Sequence, residues 1–551
     1  MFLEKLLGLI WKGLMKKIKS IRIVGGGSAG WMTAAALITH RPDIDIRVIE
    51  SPKIPTIGVG EGTIGPFRKF LDLIGVKDTD FMKACDANYK LGVCFKNFYE
   101  KNDEVFHYPF GEPNLAGNTW GLNDWTFKKI LYPDTPYSDY ADCVSPVMAL
   151  INENKLFRNK KGTLPNFDFN HDATFHFDAV KFAAWLRDKY CIPRGVVHMP
   201  QELTQWELGE NGIETFYLDN QAWNPMKADL FIDCTGFRSL LLGKIMKEPF
   251  ESYLDILPNN CAWATRIPYK NKEKEIFGWT HCEAIDHGWV WTIPLWSRIG
   301  TGYVFSDQFV SADDALKEFK LHLKKERNLS DKEIEKLTFR KIPMRVGIHK
   351  KLWVKNVCAI GLSAGFMEPL EGNGLYSVHE FIINLLRTLD RGPVSQWDRD
   401  AYTTTCKSTF RAFAEFVAFH YALSHRNDTN YWKAISNKVF DKDMSNDLIT
   451  PWIYGLKHSM NARMNHHMFS TVGGAHYIAM GMHWLPTDIP DQMYLQNNPN
   501  YKTKNTQQYY HQQWGGAVKC LNDKKKEWQR LVKKAPKLYN FLKKEIYTDE
   551  N

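Results

Sequence analysis

A glycine-rich turn between a short apolar strand and a helix, close to the start of the chain, constrains the fold more than any other feature. Residues 21–24 read Ile-Arg-Ile-Val, residues 25–30 read Gly-Gly-Gly-Ser-Ala-Gly, and residues 31–37 have a helical composition. A second apolar strand over 44–49 ends at Glu50. This order predicts a β-α-β unit of the dinucleotide-binding type, and therefore an α/β protein.

Each residue type in the turn suits a phosphate-containing ligand. Gly25 permits the tight turn, Gly27 lets the backbone approach a pyrophosphate, and Gly30 lets the helix pack closely on the strand. The helix start offers free N–H groups to the phosphates, and the Glu50 carboxylate can accept hydrogen bonds from ribose hydroxyls. The residues expected to hold a dinucleotide here are Gly25, Gly27, Ser28, Ala29, Gly30 and Glu50.

Composition excludes several other classes of protein. The 551 residues are 44% hydrophobic and 24% charged, which is globular and not disordered, and no apolar run reaches the length of a transmembrane helix. Lys and Arg total 71 against 62 acidic residues, a net charge of +9 that is too mild to indicate nucleic-acid binding. The ten cysteines form no Cys-x-x-Cys pair, so we predict reduced thiols, a cytoplasmic location and no metal site.

The rest of the chain divides by pattern. Residues 1–18 carry a short helical stripe of leucines flanked by lysines, which fits either a membrane-surface helix or an extension packed on the body, and we favour the second. Residues 19–394 are expected to form the nucleotide-binding module with interleaved substrate-side loops and strands. Within it, residues 100–170 suggest extended surface loops and short strands, and Asp178 suggests a helix N-cap. Residues 395–551 are expected to form a mainly helical covering region.

Further motifs carry a family resemblance. Residues 288–294 read Gly-Trp-Val-Trp-Thr-Ile-Pro, residues 57–61 read Ile-Gly-Val-Gly-Glu, and residues 231–236 read Phe-Ile-Asp-Cys-Thr-Gly. Residues 176–179, 302–306 and 368–371 match as well. With the glycine turn, these motifs resemble those of the flavin-dependent halogenases of the tryptophan-halogenase type. The resemblance runs from about residue 20 to about 435, and more loosely to 490.

The resemblance implies a Rossmann-like FAD-binding module of the monooxygenase and halogenase type, with β-rich insertions and a helical C-terminal region. It implies that reduced FAD, O₂ and a halide ion generate hypohalous acid, which halogenates an electron-rich aromatic substrate in a separate pocket. Gly60, Asp233 and Gly361 would add to the FAD contacts. Trp289 and Trp291 would screen the flavin from the substrate.

The resemblance also assigns the chemistry. Lys90 aligns with the catalytic lysine and Glu371 with the catalytic glutamate of the family. Alternation makes residues 89–95 one strand, on which the small Gly92 and Cys94 share the face of Lys90 and leave space beside its ammonium group. By periodicity alone, Lys90 would be a solvated edge lysine. His107, Phe110, His476 and Tyr477 are the candidates for the substrate pocket.

One segment departs from the family pattern. Where the family reads Glu-Ser-Thr-Gly, residues 371–374 read Glu-Gly-Asn-Gly. The family binds its halide through backbone N–H groups that belong here to Asn373 and Gly374. Because Gly372 loosens this turn, we expect bromide or iodide to be accepted as well as, or better than, chloride.

Partners and alternatives complete the expectations. The sequence shows no second dinucleotide fingerprint, so a separate NAD(P)H-dependent flavin reductase is expected to supply reduced FAD. A homo-oligomer is also expected, with no nucleic-acid or membrane partner. The alternatives are an FAD-dependent aromatic monooxygenase and a flavoprotein whose halogenation activity has lapsed.

Overall fold

The computed structural model describes residues 17–54, 58, 60–114, 123–158, 163–219, 225–438, 474–483 and 504–548. The leucine stripe of residues 1–18 lies almost wholly outside the described residues. Two compact units are each assembled from three separate stretches of chain. The first unit comprises Met1–Ala87, Phe177–Asn260 and Ile342–Arg411, and the second comprises Asn88–His176, Cys261–Lys341 and Ala412–Asn551. The compact units are thus interleaved along the sequence, whereas the division at residue 394 stays a prediction.

The first unit is built on a six-stranded sheet. Its spatial order is Trp353–Val354, Val357–Ala359, Leu230–Asp233, Ser20–Val24, Asp45–Ile49 and Val197–Met199. All neighbours are parallel except the first pair, which forms an antiparallel edge. The Ser28–His40 helix connects the parallel strands Ser20–Val24 and Asp45–Ile49, which confirms the predicted β-α-β unit.

Smaller elements complete the first unit. Leu203–Gly209 and Gly212–Leu218 form an antiparallel pair, and Phe250–Ser252, Gly347–His349 and Gly365–Phe366 form a three-stranded sheet. A short strand occupies Glu61–Gly62. The Asp178 carboxylate accepts hydrogen bonds from Val180 N and Lys181 N, so it is the predicted N-cap. The further helices are Pro66–Leu73, Asp78–Phe81, Ala179–Trp185 and Tyr376–Asp390.

The second unit contains a seven-stranded sheet. Its order is Arg340–Pro343, Cys261–Ile267, Ile299–Phe305, Gly288–Pro294, Thr280–Ile285, Gly92–Lys96 and Val105–Pro109. One face packs on the Ala312–Glu326 helix, where Val290, Tyr303 and Phe319 belong to one apolar cluster. The opposite face carries Trp289 and Trp291, because alternate residues of a strand point to opposite sides.

The single strand predicted over residues 89–95 is wrong. Asn88–Lys90 pairs antiparallel with Thr174–Phe177, whereas Gly92–Lys96 belongs to the seven-stranded sheet. The chain changes sheets at Leu91, whose backbone N–H donates to Gly278 O at 2.7 Å and whose carbonyl accepts from Phe110 N at 2.8 Å. Lys90 therefore does not share a strand face with Gly92 and Cys94.

Helices occupy much of what the sequence suggested to be loop. Asn123–Leu131, Asp139–Val144, Val147–Asn152 and Phe169–Asp172 are helical, and the third buries Val147 through Ile151. Two short helices lie at Lys272–Glu275 and Asp331–Glu335. Beyond residue 395 the described elements are all helices, as predicted: Gln396–Ala422, Asn430–Lys438, Ala475–Gly481, Lys504–Leu531 and Leu538–Glu545. Among the helices described, none has the length and apolarity that crossing a bilayer requires.

Candidate functional site

The glycine turn of the first unit is tight because backbone lies where side chains would be. Gly25 has φ +115°, and a Cβ there would stand 2.1 Å from Cys234 O. A Cβ on Gly30 would stand 1.9 Å from Gly25 O. Both positions therefore require glycine, for the reasons that the motif predicts.

The start of the Ser28–His40 helix is open to a ligand. Its N-cap, Gly27, has no side chain to satisfy the first N–H groups. Ser28 Oγ points back to donate to Ala179 O at 3.1 Å. Ala29 faces Gly361, where an added Cβ would lie 2.8 Å from the Ala29 methyl group, and Gly361 has φ +76°. These contacts hold the turn in place and leave its N–H groups for an anion.

Glu50 lies over this turn. A Cβ on Gly26 would lie 2.1 Å from Glu50 Cδ, so the second glycine of the run makes room for this carboxylate. Glu50 Oε2 lies 3.0 Å from His198 Nε2 and 3.9 Å from Arg187 Nη1. The sequence analysis did not single out Gly26, His198 or Arg187. His198 and Arg187 could not be linked to Glu50 because they come from distant parts of the chain.

Asp233 supports the neighbouring loops. It is fully buried, and its carboxylate accepts hydrogen bonds from Thr235 N and Oγ1 and from the backbone N–H groups of Leu241 and Leu242, at 2.7–3.0 Å. Burial raises the pKa of this carboxyl, although all of these hydrogen bonds favour its charged form. Its carbonyl accepts from Ile360 N at 3.0 Å, just before Gly361. This geometry indicates that Asp233 holds the loops that follow its own strand and the strand ending before Gly361. Gly60, with φ +90°, is another turn position that favours glycine.

Residues 371–374 form a turn before the Tyr376–Asp390 helix. Gly372 has φ +68° and donates from its N–H to Pro369 O at 3.0 Å. Glu371 is 1% exposed and Asn373 is 4% exposed. A Cβ on Gly374 would lie 3.0 Å from Glu61 Oε2, so a carboxylate that the sequence analysis did not single out borders the predicted halide turn.

Lys90, in the second unit, is fully buried. Its Nζ lies 5.2 Å from the centroid of the Phe110 ring, within the range of a cation–π contact. Burial, aided by the positive charge of Lys90, holds the pKa of His176 well below its usual range. His176 Nε2 is 2.9 Å from Thr280 Oγ1. A lysine enclosed by an aromatic ring and a neutral imidazole differs from the solvated edge lysine that alternation indicates.

Lys90 is anchored to the strand that carries the two tryptophans. Asn88 Nδ2, two residues before Lys90, donates to Phe277 O at 2.9 Å and to Pro294 O at 3.2 Å. The space predicted beside Gly92 is filled, because a Cβ there would stand 2.5 Å from Tyr108 O. Gly92 thus permits a close approach of two strands and does not enlarge a pocket.

Trp289 and Trp291 form an aromatic pair on one sheet face, as predicted. Their ring centroids lie 6.2 Å apart, and the side chains are 1% and 6% exposed. Gly302 makes room for the indole ring of Trp291, since a Cβ on Gly302 would lie 2.1 Å from Trp291 Cη2. Strand register places Cys282, Phe95 and Phe106 on the same face as Trp291.

The same register separates the predicted substrate residues. His107 is in register with Cys94 and, through it, with His281, on the face opposite Phe106 and Tyr108. Burial and the neighbouring His281 lower the pKa of His107 to about 4. Tyr108, which the sequence analysis did not select, lies on the Trp291 face.

Tyr108 joins the remaining candidates. Its ring lies 5.7 Å from Phe110 and is stacked at 5.9 Å on Tyr477, whose ring lies 4.0 Å from His476. We call these four side chains, Phe110, Tyr108, Tyr477 and His476, the aromatic wall. It begins at Lys90 and contains three of the four predicted pocket residues, whereas His107 lies on the opposite face of the sheet.

The first unit fits an FAD molecule. The open helix start, the two glycines whose Cβ positions are occupied by backbone, and the carboxylate at the end of the next strand match what a dinucleotide requires. The residues that fit this ligand directly are Gly25, Gly27, Ser28, Ala29, Gly30 and Glu50.

Comparison with known proteins gives a consistent result. A family model described as tryptophan halogenase matches residues 20–490. The 7-chloro-L-tryptophan 6-halogenase KtzR of Kutzneria sp. (strain 744) is 34% identical over 437 residues, covering 75% of this chain and 80% of its own length. The tryptophan 6-halogenase SttH of Streptomyces toxytricini is 32% identical over 466 residues, covering 81% of this chain and 86% of its own.

Solved structures agree. The apo structure of VirX1 has a TM-score of 0.84 at 38% identity, covering 97% of this chain and 100% of that one. The crystal structure of SttH has a TM-score of 0.79 at 28% identity, covering 95% of this chain and 99% of that one. The α/β fold with its helical C-terminal region is therefore shared as well as the sequence motifs. On this evidence, the chain belongs to the tryptophan halogenase family of flavin-dependent halogenases.

Proposed function

We propose that this flavin-dependent halogenase oxidises a halide to hypohalous acid and directs the acid onto an electron-rich aromatic ring through Lys90. The observation that carries the proposal is the complete burial of Lys90 at the start of the aromatic wall. Moving an ammonium group out of water carries a desolvation cost of several kcal/mol, which favours a role for this lysine. Its placement beside a ring-lined surface suits a group that handles a small oxidant next to a flat substrate.

The cofactor's part is limited. Reduced FAD, held at the glycine turn and Glu50, would donate two electrons to O₂, and O₂ would take two more from the halide, so that hypohalous acid, water and oxidised FAD result. The turn of residues 371–374 would bring the halide to the same unit of the protein through backbone N–H groups of Asn373 and Gly374.

Lys90 and Glu371 would do the remaining chemistry. An N–H of the Lys90 ammonium donates to the oxygen of hypohalous acid, which makes the halogen more electrophilic. The ring electrons then attack the halogen, the oxygen–halogen bond breaks, and the ring loses one proton, so that the products are the aryl halide and water. Glu371 would orient the acid or accept that proton. Trp289 and Trp291 would keep the organic substrate from the flavin.

Substitution of Lys90 tests this assignment against the alternatives. We expect Lys90→Ala to abolish halogenation while oxidation of reduced FAD and release of peroxide continue, because the lysine acts after the oxidant forms. The measurement is product formation by mass spectrometry alongside peroxide release. Lys53→Ala is the matched control, since that lysine forms an exposed ion pair with Glu202. A hydroxylated product that persists in Lys90→Ala would instead favour a monooxygenase reaction next to the flavin, and continued halogenation would contradict the role of Lys90.

The halide turn makes a second prediction. Gly372, with φ +68°, replaces the larger residue usual in the family, so we expect bromide or iodide to be transferred at least as fast as chloride. Competition between equal concentrations of the three halides measures the preference directly. Exclusive chloride transfer would contradict the prediction, and Gly372→Ser is expected to shift the product ratio toward chloride.

The substrate proposed is a small electron-rich aromatic molecule. Relatives of known activity act on tryptophan or on a chlorinated tryptophan, as their names state. For this chain we propose the wider class of indoles, phenols and related rings, delivered to the aromatic wall of the second unit.

A further inference from the structure

The aromatic wall ends at a buried histidine whose hydrogen bonding is incomplete. His476 is 1% exposed, and its Nδ1 lies 2.9 Å from the Tyr140 hydroxyl. Its Nε2 is buried and has no hydrogen-bond partner among the described residues. An unsatisfied buried polar atom costs about 1–3 kcal/mol, so native proteins retain few of them, and often for a function.

His476 is a neutral group. Burial lowers its pKa to about 3. Among the described residues, the titratable groups near it are Tyr140 and Tyr477, whose phenol pKa values burial raises, and Glu112, whose charge acts on Tyr477. Within that part of the chain, this end of the wall therefore offers no positive charge to a ligand. A carboxylate placed here would lose its hydration without gaining a counter-ion.

The contact with Tyr140 indicates which ring nitrogen of His476 carries the hydrogen. A buried phenol needs an acceptor for its hydroxyl hydrogen, and among the described residues the Tyr140 hydroxyl has its hydrogen-bond contact with His476 Nδ1. If Tyr140 donates to Nδ1, the ring carries its own hydrogen on Nε2, since a neutral imidazole has one donor and one acceptor nitrogen. The unpartnered Nε2 is then a hydrogen-bond donor.

We infer that His476 Nε2–H anchors the substrate by donating a hydrogen bond to a neutral oxygen substituent on its aromatic ring. Stacking along Tyr108 and Tyr477 would hold the ring, and the continuous contacts through Phe110 place Lys90 at the other end of the same wall. The ligand class is thus a phenol, an aryl ether or an aryl carbonyl compound. The inference rests on the proposed function and narrows its substrate.

The test compares the binding of two uncharged ligands of similar size, anisole and ethylbenzene. Binding to the FAD-loaded protein is measured by ligand-observed NMR. The quantity is the ratio of their dissociation constants, because the ratio removes the general effect of apolarity. A hydrogen bond between neutral groups changes affinity about threefold to tenfold. We therefore expect His476→Phe to shift the ratio against anisole by that factor relative to wild type.

Matched variants separate this effect from damage to the fold. His476→Gln keeps an N–H donor near the same place and is expected to retain most of the wild-type ratio. Tyr140→Phe removes the hydroxyl that fixes the hydrogen on Nε2 and is expected to shift the ratio against anisole. His420→Phe is the control, since His420 is equally buried but its Nδ1 is paired with Phe416 O at 2.9 Å.

The outcomes are distinct. An unchanged ratio of dissociation constants in both His476→Phe and Tyr140→Phe overturns the inference. If His476→Phe fails to fold, an unchanged ratio in Tyr140→Phe alone overturns it. An equal shift in His420→Phe also overturns it, because the effect would not be specific. If wild type halogenates no arene while the ratio shifts as expected, the inference stands and the proposed function fails.

Discussion

Single glycines decide whether the first unit can hold its cofactor. At Gly25 two independent constraints coincide: φ is +115°, and the place of a Cβ is taken by Cys234 O at 2.1 Å. At Gly195 only the first applies, since φ is +101° but nothing lies within 4 Å of an added Cβ. The pair therefore separates backbone strain from collision.

We expect Gly195→Ala to lower the free energy of unfolding by about 1–2 kcal/mol, the cost of a left-handed residue that carries a Cβ, with FAD affinity unchanged. Gly25→Ala should weaken FAD binding more than tenfold, because the turn must move away from the strand that ends at Asp233. Quenching of FAD fluorescence and thermal unfolding measure the two effects. Equal FAD affinity in both variants would show that the turn does not contact the cofactor.

The residue scale also shows where sequence reasoning succeeds. The turn glycines and Glu50 are predictable because each lies in a local pattern whose geometry is fixed by backbone sterics. The position of Tyr108 is not predictable, because which of two adjacent residues lies on the Trp291 face of the sheet depends on strand register, and a shift of one residue exchanges the faces. His198 next to Glu50 arises from a parallel strand that enters the sheet about 150 residues later.

At the scale of elements, a buried cluster of charges connects three helices of the second unit. The Asp139 carboxylate accepts hydrogen bonds from Trp125 Nε1 at 3.0 Å, Lys128 Nζ at 2.7 Å and Lys525 Nζ at 2.9 Å. These partners come from Asn123–Leu131 and Lys504–Leu531, while Asp139 begins Asp139–Val144. This carboxylate therefore contributes to docking of the long C-terminal helix, together with the Lys525–Asp142 and Lys128–Asn522 contacts.

Removal of this carboxylate is expected to be costly. Asp139→Ala removes one carboxylate from Lys128 and Lys525, which keep their contacts with Asn522 and Asp142, and should lower the free energy of unfolding by about 1.5–3 kcal/mol. Asp523→Ala, which breaks an exposed ion pair with Lys519, should change it by less than about 0.5 kcal/mol. Urea unfolding measures both, and similar losses would contradict a special role for the cluster.

The same cluster makes stability depend on pH in a defined window. The two lysines lower the pKa of Asp139 to about 2 in the folded state, and the unfolded value is near 3.9. Because the folded pKa is the lower one, the stabilisation is complete above about pH 4 and is lost as the pH falls toward 2. Asp139→Ala should therefore flatten the acid limb of a plot of melting temperature against pH.

Elements differ in how far their sequences predict them. The Tyr376–Asp390 helix and the Ser20–Val24 strand show the regular spacing of apolar residues that marks a half-buried helix or a fully buried strand. The Asn123–Leu131 helix shows no such spacing, and its aromatic, polar and charged residues are typical of a loop. Its Trp125 and Lys128 side chains bind residues of other helices, which the local sequence does not reveal. The change of sheet at Leu91 leaves no local mark, since both neighbouring strands are apolar and extended.

At the scale of the whole molecule, the sequence contains one dinucleotide fingerprint, at residues 25–30, and Glu50 completes it. That unit is the one that fits FAD, so the chain offers no matching motif for a nicotinamide cofactor. A hydride donor must bind close to a flavin to reduce it. We therefore expect the flavin to arrive already reduced, from a separate enzyme.

Purified protein supplied with FAD, NADH, bromide, oxygen and an electron-rich arene should consequently form no product above the level without protein. Addition of an NADH-dependent flavin reductase should start halogenation, and photochemically reduced FAD should do so without any reductase, because the requirement is for the reduced cofactor and not for a protein contact. Lys90→Ala in the reductase-supplied reaction controls for free oxidant, since it should consume NADH and oxygen without halogenating the arene. Turnover with NADH alone would mean that the molecule reduces its own flavin, and a site for the hydride donor would then have to exist outside the single fingerprint.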